Sequence, residues 1–73
     1  MISEQEALNK ACEMVRGYHI FETDIKKPKQ SYPFYRVSIY HGDEEGNVFH
    51  DVIHVLKNGT VAQWDRRHLK EEL

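Results

Sequence analysis

The sequence is short of the residues that usually staple or punctuate a small fold. Its 73 residues include one cysteine, two prolines, four glycines and one tryptophan. With Cys12 alone, no internal disulfide can form. That excludes the disulfide framework on which many small secreted domains depend. No apolar run approaches the roughly 20 residues that cross a bilayer as a helix. The opening Met-Ile-Ser-Glu-Gln-Glu has no basic stretch followed by an apolar one, so no signal peptide is read there. A reducing cytoplasm is the expected location, and no membrane association is expected. Positive charge is also scarce: 10 Lys and Arg stand against 12 Asp and Glu, a net charge of -2. No general cationic surface is available for phosphates.

What is present suffices for one domain. Hydrophobic residues make up 40% and charged residues 30%, which is the balance of a folded chain rather than a disordered one. A domain of this size buries only about 60% of its unfolded surface. Deep clefts are hard to build at that scale, which favours a binding module over an enzyme and implies no cofactor.

Hydrophobic periodicity gives an α+β reading: an N-terminal helix packed on a three- to four-stranded antiparallel meander, with a short C-terminal helix. The first helix covers residues 3–16. Ser3 and Glu6 match a capping box, in which each side chain satisfies the other's backbone N–H. Ala7, Leu8, Ala11, Cys12 and Val15 recur at helical spacing and form one apolar stripe. Gly17 is the expected stop. Residues 18–25 are read as a first strand, and residues 26–33, with both prolines, as a loop.

In residues 34–41, Tyr35, Val37 and Ile39 alternate with Arg36, Ser38 and Tyr40, as in a half-buried strand. A polar turn at 42–46 leads to a strand over 47–57. Asn58-Gly59 predicts a two-residue type I′ turn, which needs two positive φ angles. Residues 60–64 pair back, and Asp65 is read as the cap of a helix running to Leu73.

These turns predict a register. Val55 falls opposite Ala62 and Ile53 opposite Trp64, while Ile39 meets Phe49 and Tyr35 meets Ile53. One face then holds Tyr35, Val37, Ile39, Phe49, Ile53, Val55, Ala62 and Trp64, and should receive the helix stripe. Asp51 lands on that face opposite Val37. An unpaired buried carboxylate is costly. Three resolutions stay open: a bulge turns Asp51 outward, it finds a partner, or the register differs there. The other face carries Arg36, Ser38, Tyr40, His50, Val52, His54, Leu56, Val61 and Gln63.

Most apparent chemistry dissolves on inspection. His50 and His54 have the spacing of a zinc pair, but only on a helix. On a strand they lie roughly 13 Å apart, too far to share an ion, and no Cys-x-x-Cys completes a site. Ser38, His50 and Asp51 suggest a triad, yet His50 and Asp51 point to opposite faces. Cys12 belongs to the helix stripe and reads as packing. Asn58-Gly59-Thr60 fits a glycosylation acceptor but is explained by the turn. No catalytic, cofactor or metal residue is assigned.

The segments Ile2-Ser3-Glu4-Gln5-Glu6-Ala7-Leu8-Asn9-Lys10-Ala11, Tyr35-Arg36-Val37-Ser38-Ile39 and Val52 to Val61, ending Asn-Gly-Thr-Val, resemble the PepSY pattern. The resemblance implies a capped helix before an antiparallel meander, and a link to peptidase inhibition in secreted or membrane-linked settings. The acidic residue usual before that family's final turn is absent here. Some toxin-immunity proteins also begin with an Ile-Ser-x-x-Glu-Ala helix. The order helix, three strands, helix is that of a double-stranded RNA-binding domain as well, but the lysine cluster that starts its second helix is missing.

The expected function is therefore a non-enzymatic protein-binding module, such as an inhibitor, immunity or phage-type accessory protein. Its expected contact surface is Arg36, Tyr40, His50, His54 and Gln63. The alternative is nucleic-acid binding through Lys26, Lys27, Lys29, Arg66 and Arg67. A homodimer formed through the mixed sheet face is a third possibility.

Overall fold

Ser3 begins the structure as its sequence requires. In this computed structural model, which describes residues 1–69, the Ser3 hydroxyl accepts the Glu6 N–H at 3.1 Å and the Glu6 carboxylate accepts the Ser3 N–H at 2.7 Å. The capping box starts α1, which runs over Glu4–Glu13. The chain then tightens into i to i−3 hydrogen bonds over Met14, Val15, Arg16 and Tyr18, and Gly17 turns it at φ 99°. The helix is thus shorter than the 3–16 expected, because its last apolar residue, Val15, is delivered by this tighter turn.

Four strands follow: β1 His19–Lys26, β2 Phe34–Gly42, β3 Val48–Leu56 and β4 Val61–Leu69. They form one antiparallel sheet in sequence order. The fold is α+β, with the expected helix and meander. The C-terminal helix is a correction: residues 65–69 continue β4, paired from Asp65↔Val52 to Leu69↔Val48. The rest of the expected helix, 70–73, lies outside the described residues.

The core forms between α1 and one sheet face. Ala7, Ala11, Val15, Val37, Ile39, Ile53 and Val55 are fully buried, and Tyr35 nearly so. Each buried branched side chain contributes roughly 1.5–3 kcal/mol. The small alanines let the helix lie close over β2 and β3. Tyr35 donates its hydroxyl proton to the Ile2 carbonyl at 3.0 Å, and the Ile2 N–H reaches the Lys57 carbonyl at 2.8 Å. The start of the chain is thereby pinned to the β3–β4 turn.

Two turns depart from expectation. Asn58 has negative φ, and Gly59 alone is positive, at 93°. The Leu56 N–H bonds the Thr60 carbonyl and the Gly59 N–H bonds the Leu56 carbonyl, both at 2.8 Å. This is a three-residue loop with glycine in the left-handed position, not a type I′ turn. A bulge follows, so Val55 pairs Val61, and Ala62 is extra and exposed, while Ile53↔Trp64 holds as predicted. At the other turn the predicted β2–β3 register is off by two residues: Ile39 pairs Asp51 and Tyr35 pairs Val55. A two-residue shift keeps every side chain on its predicted face. Phe49 stays on the core face but is only half-buried, and Trp64 is 43% exposed.

Candidate functional site

Beyond the end of α1 the core face is closed by polar groups rather than aliphatic ones. Asp51, fully buried, is the hub. It accepts Trp64 Nε1–H at 2.7 Å, Arg66 Nε–H at 3.0 Å and Nη2–H at 3.1 Å, and His41 Nε2–H at 2.8 Å. Of the three resolutions open for Asp51, partners hold, with the register shift added. Burial pushes its carboxyl upward, but the hydrogen bonds from Arg66, His41 and Trp64 outweigh this and hold it below the usual range. The Arg66 guanidinium is held above its usual value, first by the Asp51 hydrogen bond. It also faces the rings of Tyr18, Phe49 and Trp64 at 5.1–5.4 Å. His41 packs edge-on to Tyr18 at 4.7 Å. A carboxylate only accepts, so His41 Nε2 carries the hydrogen, and in the neutral ring Nδ1 is a bare lone pair. That atom is buried without a partner. The cluster is internally satisfied apart from it and serves as structure.

The opposite face is the candidate site. Cross-strand pairing makes Val52 the centre of a three-by-three grid. Its β3 neighbours on this face are His50 and His54. On β2 stand Arg36, Ser38 and Tyr40, level with His54, Val52 and His50 respectively. On β4 stand Gln63, Asp65 and Arg67 in the same order. All five residues predicted from the sequence, Arg36, Tyr40, His50, His54 and Gln63, occupy this grid. Among the described residues no element lies over it, since α1 packs on the other side of β2 and β3.

Several side chains here are held in place. The Tyr40 and His50 rings stack 4.2 Å apart and only 4° from parallel. His50 Nε2 is 2.6 Å from the Ser38 hydroxyl oxygen. His54 stacks on Phe34 at 4.3 Å. Gln63 donates to Asp65 at 2.7 Å. His54 is lowered from its ordinary pKa, first by desolvation and then by the Arg36 charge, with Asp65 opposing. Arg36 and Arg67 are exposed and form no ion pair among the described residues. A shallow depression of about 290 Å³ lies between them, with Val52 in its floor.

Ser38 and His50 are a nucleophile–base pair in form only. The aspartate that would orient His50 in a triad is Asp51, which serves the other face. Among the described residues, no three His, Cys, Asp or Glu side chains converge as a metal site. Cys12 is half-buried, and desolvation pushes its thiol up, away from thiolate reactivity.

The basic set Lys26, Lys27, Lys29, Arg66 and Arg67 is not brought together. Lys26 ends β1 and sits 3.6 Å from Asp24. Lys27 and Lys29 follow in the loop. Arg66 is committed to Asp51 on the core face, while its neighbour Arg67 projects from the other. Asp65 and Arg67 are the grid members not foreseen on this face, since reading 65–73 as helix removed them from the sheet; Ser38 and Val52 were placed on the face but not in the site. Between Gln63 and His68 only Trp64 is apolar, so no alternation marked these residues as strand.

No protein-family model, curated protein or solved structure matches the chain. Its class is defined by its own geometry: a single helix on one face of a four-stranded meander, with the other face uncovered by any described element. No described helix is long and apolar enough to cross a membrane.

Proposed function

We propose that this chain is a non-enzymatic binding module that takes a protein partner on the grid around Val52. The observation that carries the reading is a four-stranded face with no described element over it, on which Tyr40, His50 and His54 are already fixed by stacking. Side chains ordered before binding lose little further entropy when a partner arrives. Tyrosine and arginine are also the residue types that concentrate binding energy at protein interfaces. The mixed character of the face, with half-buried Val52 and Leu56 among polar groups, fits a non-obligate interface. An inhibitor, immunity or phage-type accessory protein would work this way at this size, and the PepSY resemblance points in the same direction.

The test compares capture of binding proteins from cell extract by the wild-type chain, by Arg36→Ala/Tyr40→Ala, and by Lys27→Ala/Lys29→Ala. The reading predicts that the first double variant loses a specific captured protein while its circular dichroism and melting are unchanged. The lysine variant should retain that protein. Equal capture by all three rejects the face. Capture that disappears with nuclease, or falls steeply with salt in the lysine variant's favour, supports nucleic acid instead.

A further inference from the structure

Every polar side chain of the grid except those at two opposite corners is stacked on or hydrogen-bonded to a neighbouring side chain. Tyr40, His50 and Ser38 are engaged with one another, His54 with Phe34, and Gln63 with Asp65. Arg36 and Arg67 are exposed with no ionic partner among the described residues. They stand two strands and four residues apart, about 16 Å along the backbone grid, and line one depression with Val52 between them. Of the depression's other lining residues, Arg66 is already paired to Asp51. Asp65 is the single acid there, and one of its oxygens accepts from Gln63. The depression therefore holds two available guanidinium groups against one carboxylate, in a chain whose net charge is -2.

We infer that this depression recognises an acidic peptide segment of the protein partner. Its carboxylates meet Arg36 and Arg67, and an apolar side chain rests on Val52. The inference deepens the proposed function and rests on it.

Two features favour a peptide over a nucleic acid. A phosphodiester strand needs a continuous track of cations, but here Asp65 stands in the depression with Arg36 and Arg67, and the cation opposite Arg36 on β1, Lys26, lies beside Asp24. The floor at Val52 is aliphatic, which suits a side chain, and the one ring lining the depression, His50, already spends a face on Tyr40. The forked N–H groups of a guanidinium match both oxygens of a carboxylate as they do those of a phosphate, so the arginines set the sign of the ligand and the two features above set its class. A volume of about 290 Å³ accommodates one or two side chains and is at the lower limit of small-molecule sites.

The experiment uses the isotope-labelled full chain and three probes: hexaglutamate, hexaglutamine and single-stranded hexathymidylate. Hexaglutamate should shift the Arg36 and Arg67 Nε–H signals and the Val52 amide in a saturating way, and should raise the pKa of the His54 ring by countering the Arg36 charge. Hexaglutamine should not. Arg36→Gln/Arg67→Gln should weaken hexaglutamate binding about tenfold, which is about 0.7 kcal/mol for each of two exposed ion pairs. Lys27→Gln/Lys29→Gln should leave it unchanged.

Shifts centred on Lys27 and Lys29, an equal response to hexaglutamine, or no response to millimolar peptide would each overturn the inference. So would tighter binding of hexathymidylate, which would favour nucleic acid, or the same shifts on raising protein concentration alone, which would mean a second copy fills the site. If the peptide fails yet Arg36→Ala/Tyr40→Ala still loses its captured protein, the acidic chemistry is wrong and the binding face stands. If that variant also captures normally, both readings fall.

Discussion

Arg66 lays two N–H groups of its guanidinium on the Asp51 carboxylate, at 3.0 and 3.1 Å, from the neighbouring strand. The acid is fully enclosed, while 30% of the arginine side chain remains exposed. The pair is thus asymmetric. Its acid depends on every one of its donors, whereas its base has solvent and three aromatic rings to fall back on.

Asp51→Ala should accordingly be the more damaging substitution. It leaves His41 buried, with Nε2–H unpaired beside Nδ1, and removes the acceptor of Trp64 and Arg66. The expected cost is about 3 kcal/mol, read from urea unfolding. Arg66→Met keeps the stem packed and should cost less than Asp51→Ala. The reverse order would show that the cation, not the acid, organises the cluster.

Stability should fall in two steps as pH is lowered. His54 is lowered in the fold, so the unfolded chain binds its proton more readily, and stability declines as pH drops from about 6.5 through the folded value. The Asp51 carboxyl is also lowered, which gives stability above about 3.9 that disappears as pH falls through its folded value. Glu6 and Asp43 are lowered too, by hydrogen bonds from Ser3 and Asn47 respectively, and titrate in the acid step. His54→Gln should abolish the upper step and leave the lower one. Persistence of the upper step in that variant would assign it elsewhere.

Gly42→Ala should destabilise even though φ there is ordinary. A Cβ at residue 42 would come within 2.8 Å of the Asn47 carbonyl oxygen and 3.0 Å of the Phe21 ring. Phe21 can move and the backbone carbonyl cannot, so Phe21→Ala should not rescue Gly42→Ala. The expected loss is about 1–3 kcal/mol by thermal melting. Full rescue by the Phe21 change would place the clash in the ring alone.

The parts of this fold legible in the sequence were those governed by local rules. The Ser3–Glu6 cap and the alternation of Tyr35, Val37 and Ile39 each depend on a few adjacent residues. Face assignment survived a register error at the β2–β3 turn because the error was two residues. Asp43 explains why that turn was misjudged. Its carboxylate gathers the N–H groups of Glu45 and Asn47 and the Asn47 amide, moving the five-residue loop to 43–47. The polar closure of the core was legible only as a warning at Asp51. Its donors lie 10 to 15 residues away, and no local pattern links them. Reading Asp65 as a helix cap concealed the end of β4, and with it Arg67. A charged edge strand has little apolar alternation by which to declare itself.

The pinning of Ile2 to Lys57 and Tyr35 has a kinetic consequence. Each strand pair closes only a short connection, so the meander can zip from hairpin to hairpin with little entropic delay. The Ile2 N–H instead pairs with a carbonyl 55 residues along the chain, at the β3–β4 turn. By loop-closure entropy the docking of α1 is the costlier contact to form, because the helix must find a partner more than fifty positions further along the chain.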